Sequence, residues 1–133
     1  MLEAMRRLAG VRVLVVEDDR DTREMYARYL EHVGMQVETA TDGEEALERA
    51  AAFAPAVIVM DVGMPRMSGD EAAQRLKADA ATRHIPIIAL SGFGLLAKAD
   101  MDRAQFDVFC KKPCLPVDLA AIIRSTLAEP RRR

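Results

Sequence analysis

Five short apolar runs, rich in β-branched residues, alternate along this chain with segments in which apolar residues recur at helical spacing. The runs cover residues 11–16, 35–39, 57–61, 85–90 and 106–110. Most lack regular apolar–polar alternation, which is typical of strands buried on both faces of a parallel sheet. Since each intervening helix returns the chain to the same end of the sheet, the pattern predicts an α/β fold with helices on both faces.

The intervening helices are predicted from their start and stop signals. Gly34 follows the first helix, Pro55 stops the second, Ser68 with Glu71 forms a capping box for the third, and Pro116 starts the last. The predicted spans are 21–33, 44–53, from the Ser68 cap to about 79, 93–104, and 116–127. The fourth, 93–104, is expected to be the least firmly held.

The length of 133 residues, half of them hydrophobic, predicts a single domain, 1–133. Its core is expected over about 11–127, between a short N-terminal leader and an arginine-rich C-terminal tail. The mixed charges, with a net of -2, argue against nucleic acid as a partner. No apolar stretch approaches the ~20 residues of a membrane helix, so membrane insertion is not expected. The spacing of Cys110 and Cys114 matches neither a zinc site nor a CxxC pair, and a reduced, cytoplasmic protein is expected.

Polar residues stand where the predicted strands end. Glu17-Asp18-Asp19 follows the first strand, Asp61 ends the third, Ser91 follows the fourth and Lys111-Lys112 follows the fifth. Asp61 by itself could simply begin a turn. The carboxyl ends of parallel strands, however, share one edge of the sheet, and carboxylates gathered there repel one another unless a cation lies between them. The all-oxygen set therefore predicts a Mg²⁺ site.

A carboxylate, a lysine and a hydroxyl around Mg²⁺ are typical of a phosphoryl-transfer site. Asp61 is a competent nucleophile toward phosphorus and would form an aspartyl phosphate. Mg²⁺ and a lysine would neutralise the transferring oxygens, and Ser91 could donate a hydrogen bond to the bound group.

Four motifs, in this order, resemble the response-regulator receiver domains of two-component signalling, over about 11–127. They are Val15-Val16-Glu17-Asp18-Asp19, the run from Met60 to Gly69, Ala89-Leu90-Ser91-Gly92 and Lys112-Pro113. The resemblance implies a flavodoxin-like (βα)5 three-layer sandwich with a parallel five-stranded sheet in the order 2-1-3-4-5.

The resemblance also assigns roles by position. It implies that Asp61 is the phospho-acceptor and also a ligand of Mg²⁺, and that Glu17 and Asp18 form the acidic pair for the ion. Gly63 would lend a backbone carbonyl to the ion, and Asp19 matches the following, non-ligand position. Lys112 corresponds to the catalytic lysine, and Ser91 and Phe109 to the two switch residues.

As a function, the resemblance implies a single-domain response regulator. It would take its phosphoryl group from a sensor histidine kinase or a histidine phosphotransfer protein and bind a downstream target protein as a monomer or weak dimer. It would not be a conventional enzyme, although it would catalyse its own phosphorylation and dephosphorylation. The alternatives are a phosphate shuttle or sink in a phosphorelay, or the receiver portion of a hybrid histidine kinase.

The chain departs from the commonest pattern of the family at three positions. Phe109 lacks a tyrosine hydroxyl, Gln105 replaces a glycine, and Gly63 has no side chain to guide the water of dephosphorylation. Other folds with this alternation fit less well. The acidic loop after the first strand would repel a flavin phosphate, it contains no glycine-rich turn for a dinucleotide, and Gly63 breaks the Asp-x-Asp motif of haloacid dehalogenase phosphatases.

Overall fold

The computed structural model describes residues 8–63, 69–92 and 106–128, and for Asp70 the backbone alone. Within these ranges the chain forms five strands and four helices. The strands are β1 (Arg12–Val16), β2 (Gln36–Ala40), β3 (Val57–Asp61), β4 (Ile87–Ser91) and β5 (Val108–Lys111). The helices are α1 (Arg20–His32), α2 (Gly43–Phe53), α3 (Gly69–Ala78) and α4 (Pro116–Ala128).

The five strands form one sheet in the order β2-β1-β3-β4-β5, and every neighbouring pair is parallel. The predicted fold class and strand order are thus confirmed. β3 lies at the centre, with Val59 opposite Val15 of β1 and Ile88 of β4. All five of its residues are buried, which accounts for the apolar run that precedes Asp61. The predicted helix 93–104, Gln105 and the Ser68 cap lie outside the described residues.

The sheet separates two apolar layers, because successive side chains of a strand point to opposite faces. On the first face, Val15 and Val59 pack with Leu30 of α1 and Leu119 of α4. This is the α1/α4 face. On the second, the α2/α3 face, Met60 packs with residues of the other two helices, including Ala46, Ala50, Ala73 and Leu76. The result is the predicted three-layer arrangement.

Several element boundaries differ from the sequence prediction by one or two residues. β4 begins at Ile87 rather than at residue 85, since Pro86 has no N–H to donate to a neighbouring strand. α1 begins at Arg20, capped by Asp19, whose carboxylate accepts a hydrogen bond from the Thr22 N–H at 2.9 Å. α2 ends at Phe53 as predicted, and its C-cap residue, Ala54, takes a left-handed conformation with φ 51° although it is not glycine. In the described part of the chain, no helix has the length and apolar character needed to cross a membrane.

Candidate active site

Asp61 and Lys112 meet at the carboxyl edge of the sheet, although 51 residues separate them in the sequence. The Lys112 ammonium lies 3.0 Å from Asp61 Oδ1 and 3.8 Å from Glu17 Oε1. Glu17, Asp18 and Asp61 each offer a carboxylate oxygen, and these three oxygens lie within 4.8 Å of one another. The structure therefore brings together the four side chains to which the sequence assigned acceptor, metal-binding and lysine roles.

The carboxylate of Asp61 is held by short contacts on one oxygen. Oδ1 accepts hydrogen bonds from the Lys112 ammonium at 3.0 Å and from the Gly63 N–H at 3.1 Å. Asp61 is only 4% exposed and lies at the end of β3, between β1 and β4. A buried carboxylate with a cation beside it is a nucleophile whose charge is partly compensated and whose position is fixed.

Glu17 is the most deeply buried of the three acidic residues, with 2% of its surface exposed. Its Oε2 accepts a hydrogen bond from the Asp19 N–H at 3.2 Å, but its Oε1 has no hydrogen-bond partner among the described residues. Burial, and then the negative charge of Asp61, raise the pKa of Glu17 to about 7. A buried, unsatisfied carboxylate oxygen is costly unless another group completes its environment.

These oxygens fit the Mg²⁺ that the sequence predicts. The donor set is entirely oxygen and combines two buried carboxylates with the exposed Asp18, so that water can complete the coordination of a bound ion. A divalent cation would also give Glu17 Oε1 the partner that it lacks. No histidine or cysteine belongs to the acidic cluster in the described residues, which argues against a softer metal.

Two features of α1 hold the acidic loop in place, and sequence reasoning missed both. Asp19 is the N-cap of α1, and its hydrogen bonds to Thr22 lower its pKa, so this acid is committed to the helix rather than to the metal. Arg23 donates to the backbone carbonyl oxygens of Glu17 at 3.0 Å and Asp18 at 3.4 Å. The only sequence signal was the position of Arg23 one turn into the helix.

Gly69 permits a close backbone approach beside Asp61. A Cβ at this position would lie 2.5 Å from the Asp61 carbonyl oxygen and 2.7 Å from the Val62 Cα. Any side chain would therefore push α3 away from the end of β3. The sequence motif contains this glycine, but its role follows only from the coordinates.

Ser91 and Phe109, the two predicted switch residues, lie on β4 and β5. The alternation along their strands places both on the α2/α3 face, whereas Asp61 lies on the α1/α4 face together with Val57 and Val59. Ser91 donates from its hydroxyl to the Gly92 carbonyl at 3.2 Å. Phe109 is 47% exposed and makes an edge-to-face contact with Phe106, with ring centroids 5.8 Å apart.

The sequence around Lys112 contains a second lysine, a proline and the two cysteines. Lys111 belongs to β5 and lies opposite Ser91, on the other face from Cys110. The peptide bond between Lys112 and Pro113 is cis. Both cysteines are free thiols, and burial raises the pKa of Cys114 to about 12, which makes it unreactive at neutral pH.

Comparison with known proteins identifies the family. The sequence matches the response regulator receiver domain family over residues 13–124. The chain belongs to that family. It is thus a receiver domain of two-component signalling, a class of domain that interacts with histidine kinases or phosphotransfer proteins.

Curated relatives agree with this assignment. The receiver domain is 38% identical, over 119 residues, to the response regulator MprA of Mycolicibacterium vanbaalenii, with 88% of this chain and 50% of the relative covered. It is 39% identical to MprA of Mycobacterium ulcerans over 120 residues, covering 89% of this chain and 50% of that protein. The chain therefore spans about half the length of these relatives.

Solved structures agree as well. The chemotaxis response regulator CheY4 of Vibrio cholerae superposes with a TM-score of 0.80 at 29% identity, covering 88% of this chain and 98% of that one. The receiver domain of the sensor histidine kinase PA1611 from Pseudomonas aeruginosa has a TM-score of 0.82 at 26% identity, with 91% and 100% covered. That structure contains a magnesium ion coordinated in its active-site cleft.

Proposed function

We propose that this receiver domain accepts a phosphoryl group on Asp61, from the phosphohistidine of a sensor histidine kinase or a histidine phosphotransfer protein. The observation that carries the proposal is the position of Asp61, buried at the end of β3, 3.0 Å from Lys112 and grouped with Glu17 and Asp18. Few structural roles would require three carboxylates, two of them buried, and one lysine to lie so close together.

Each side chain has a separate task in the reaction. The Asp61 carboxylate attacks phosphorus, and the bond from phosphorus to the donor nitrogen breaks, leaving its electron pair on the imidazole, which is then protonated. Lys112 stays beside Asp61 and neutralises charge on the transferring oxygens. Glu17 and Asp18, with the Gly63 carbonyl, would hold Mg²⁺. When bound, the ion supplies charge neutralisation for the phosphoryl oxygens.

The proposed output is a protein-binding face controlled by phosphorylation. Ser91 would move to donate its hydroxyl to the phosphoryl group, and Phe109 would move inward from its half-exposed position. Both side chains lie on the α2/α3 face of neighbouring strands. A movement of Ser91 would therefore change the space that is open to Phe109. The partner would be a downstream target protein, and the domain would act as a monomer or weak dimer.

The acceptor assignment is tested by incubating the protein with Mg²⁺ and a small acyl phosphate, followed by intact mass measurement. The wild-type protein should gain one phosphoryl group, and Asp61→Asn should gain none. Asp79→Asn makes the same substitution after α3, at the opposite edge of the sheet, and should label like the wild type. Undiminished labelling of Asp61→Asn would exclude Asp61 as the acceptor.

The metal and lysine assignments are tested in the same assay. Labelling should require Mg²⁺ and should fall in Glu17→Gln and Asp18→Asn, together with the affinity for the ion. Lys112→Ala should retain Mg²⁺ binding while the labelling rate falls by about 100-fold or more, because it removes an electrostatic group that acts on the transferring oxygens. Labelling without Mg²⁺ would contradict the roles of Glu17 and Asp18.

A second function is a phosphate shuttle or sink, including the receiver portion of a hybrid kinase. This alternative is supported by the similarity to the receiver domain of sensor histidine kinase PA1611, because the match covers 100% of that solved domain. The two functions differ in what the phosphoryl group does. A phospho-Asp61 that transfers readily to a histidine phosphotransfer protein, with no change in the Phe109 environment, would support the shuttle and oppose the switch.

A further inference from the structure

Tyr26 connects α1 to the loop that follows β5. Its hydroxyl donates a buried hydrogen bond of 2.6 Å to the backbone carbonyl oxygen of Cys114, 88 residues later in the sequence. The side chain is 3% exposed. Burial raises the pKa of Tyr26 to about 12, so the hydroxyl remains a donor throughout the neutral range.

The carbonyl that accepts this bond is close to Lys112 along the backbone. Only Pro113 separates Cys114 from Lys112. On the other side, the Lys112 N–H donates to the Ser91 carbonyl at 2.8 Å, which ties it to the end of β4. The backbone that carries the lysine is thus fixed at two points, one on the sheet and one on α1.

The same helix also fixes the acidic loop. α1 begins immediately after that loop, Asp19 caps it, and Arg23 donates to the carbonyl of Glu17. Tyr26 lies on this helix one turn further along. α1 therefore holds Glu17 and Asp18 at its start and the loop after Lys112 at Tyr26, so the acids and the lysine share one rigid support.

The lysine needs such support because its side chain alone does not fix the ammonium. Lys112 is 33% exposed and has four rotatable side-chain bonds, so solvated rotamers compete with the one that reaches Asp61 at 3.0 Å. A shift of its Cα would change the distances to Asp61 and to Glu17 together. Such a displacement lowers the rate of a reaction that depends on the position of charged groups.

We propose that Tyr26 is a positioning residue, which acts through the Cys114 carbonyl to hold the Lys112 ammonium against Asp61 and Glu17. The inference rests on the proposed function of Asp61 as phospho-acceptor. Tyr26 has no described hydrogen bond to Glu17, Asp18 or Asp61, so it should affect the lysine step and leave the metal step unchanged.

The direct test is Tyr26→Phe, which removes only the hydroxyl. At saturating Mg²⁺, labelling of Asp61 by a small acyl phosphate should slow by about three- to tenfold, the effect of one lost buried hydrogen bond on a single step. The dissociation constant for Mg²⁺ should stay within about twofold of the wild type, since no ligand oxygen is bound to Tyr26. Tyr29→Phe is the matched control, because it makes the same change on α1 at a tyrosine that has no described hydrogen bond to Cys114.

A double-mutant cycle with Lys112→Ala distinguishes positioning from general damage to the fold. It is measured as the dissociation constant of beryllium trifluoride, a phosphoryl analogue, since binding can be followed in variants that label slowly. Tyr26→Phe should weaken binding in the wild-type background and should have little further effect once Lys112 is absent. An equal loss in both backgrounds, or no loss in either, would overturn the proposal.

Amide hydrogen exchange gives an independent readout of the loop. Tyr26→Phe should speed exchange of the Lys112 N–H, which donates to Ser91, and should leave the amides within β3 and β4 unchanged. Unchanged exchange at Lys112 would also overturn the proposal. Failure of the proposed function would look different, because the wild-type protein itself would then not be labelled at Asp61.

Discussion

At the scale of single residues, Glu17 carries the largest electrostatic cost in the site. Its charge is buried beside that of Asp61, while Lys112 is nearer to Asp61, at 3.0 Å, than to Glu17, at 3.8 Å. In the folded protein without metal, the pKa of Glu17 therefore rises from 4.5 to about 7. The nearby negative charge of Asp61, which helps to raise the pKa of Glu17, also favours the binding of a cation.

This shift predicts how the stability of the metal-free protein depends on pH. Because the folded state binds the Glu17 proton more tightly than the unfolded state, the contribution is fully present below pH 4.5 and is lost as the pH rises through about 7. The free energy of unfolding in the presence of a chelator should fall between pH 5 and pH 8, by up to about 3 kcal/mol. Urea unfolding measures it.

Glu17→Gln is the matched variant for that experiment. It keeps the shape of the side chain and cannot ionise, so its stability should vary much less over the same range. A slope in Glu17→Gln equal to that of the wild-type protein would assign the pH dependence to another group.

Gly69 gives a second prediction for a single residue. In Gly69→Ala, the new methyl group would meet the backbone of Asp61 and Val62 at 2.5–2.7 Å, and the start of α3 must move. The free energy of unfolding should fall by about 1–3 kcal/mol, as for other overpacked sites, and labelling of Asp61 should slow. Chemical denaturation and intact mass measure the two effects. A fully stable, fully active Gly69→Ala protein would contradict the close approach.

At the scale of elements, α2 ends in an unusual way. The residue that follows it, Ala54, has φ 51° and is solvent exposed, while its N–H donates to the Ala50 carbonyl. Helices usually place glycine at such a position, because a Cβ costs about 1–2 kcal/mol there.

Ala54→Gly is therefore expected to stabilise the protein. The relief of the left-handed strain exceeds the added entropy of glycine in the unfolded chain, leaving a gain of about 0.5–1 kcal/mol. The denaturation midpoint should rise. Ala52→Gly, in the interior of the same helix, is the opposing control and should lower it by a similar amount. A midpoint that falls in Ala54→Gly would mean that strain is absent at this helix end.

The elements also show how far sequence reasoning reached. The apolar runs predicted all five strands, and the rule that parallel strands share a carboxyl edge brought Glu17, Asp18, Asp61 and Lys112 together. The strand order came from the family resemblance, since periodicity does not decide which strands are neighbours.

The contacts that support the site were beyond such reasoning. The hydrogen bonds of Arg23 and Tyr26 and the close approach at Gly69 depend on distances between elements, which no local pattern encodes. Strand alternation places Ser91 on the face opposite Asp61, and the contact of its hydroxyl with a group bound at Asp61 stays a prediction.

At the scale of the whole molecule, the sheet separates two layers with different proposed tasks. By the alternation of side chains along the strands, Asp61 lies on the α1/α4 face, whereas Ser91 and Phe109 lie on the α2/α3 face. Chemistry on one side would be read on the other through the ends of β3, β4 and β5. Binding at the acidic cluster should therefore stabilise the entire domain.

Addition of Mg²⁺ measures this coupling. At a concentration 100 times its dissociation constant, the ion should raise the free energy of unfolding by about 2.7 kcal/mol, by mass action on the folded state. Two comparisons are made. One is Ca²⁺ at equal ionic strength, and the other is the Glu17→Gln variant, in which Mg²⁺ should raise the free energy of unfolding by less. An identical shift in the Glu17→Gln variant would indicate a nonspecific salt effect.

The wide sequence separation within the site also has a consequence for synthesis. Asp61 and its lysine are 51 residues apart, and Tyr26 and Cys114 are 88 apart. At typical translation rates a ribosome needs about 3–10 s to proceed from Asp61 to Lys112. During that interval the nascent chain already carries Asp61 and the acidic pair but lacks the lysine that balances them. On the proposed function, phosphorylation of Asp61 would have to wait until the last strand of the sheet has been made.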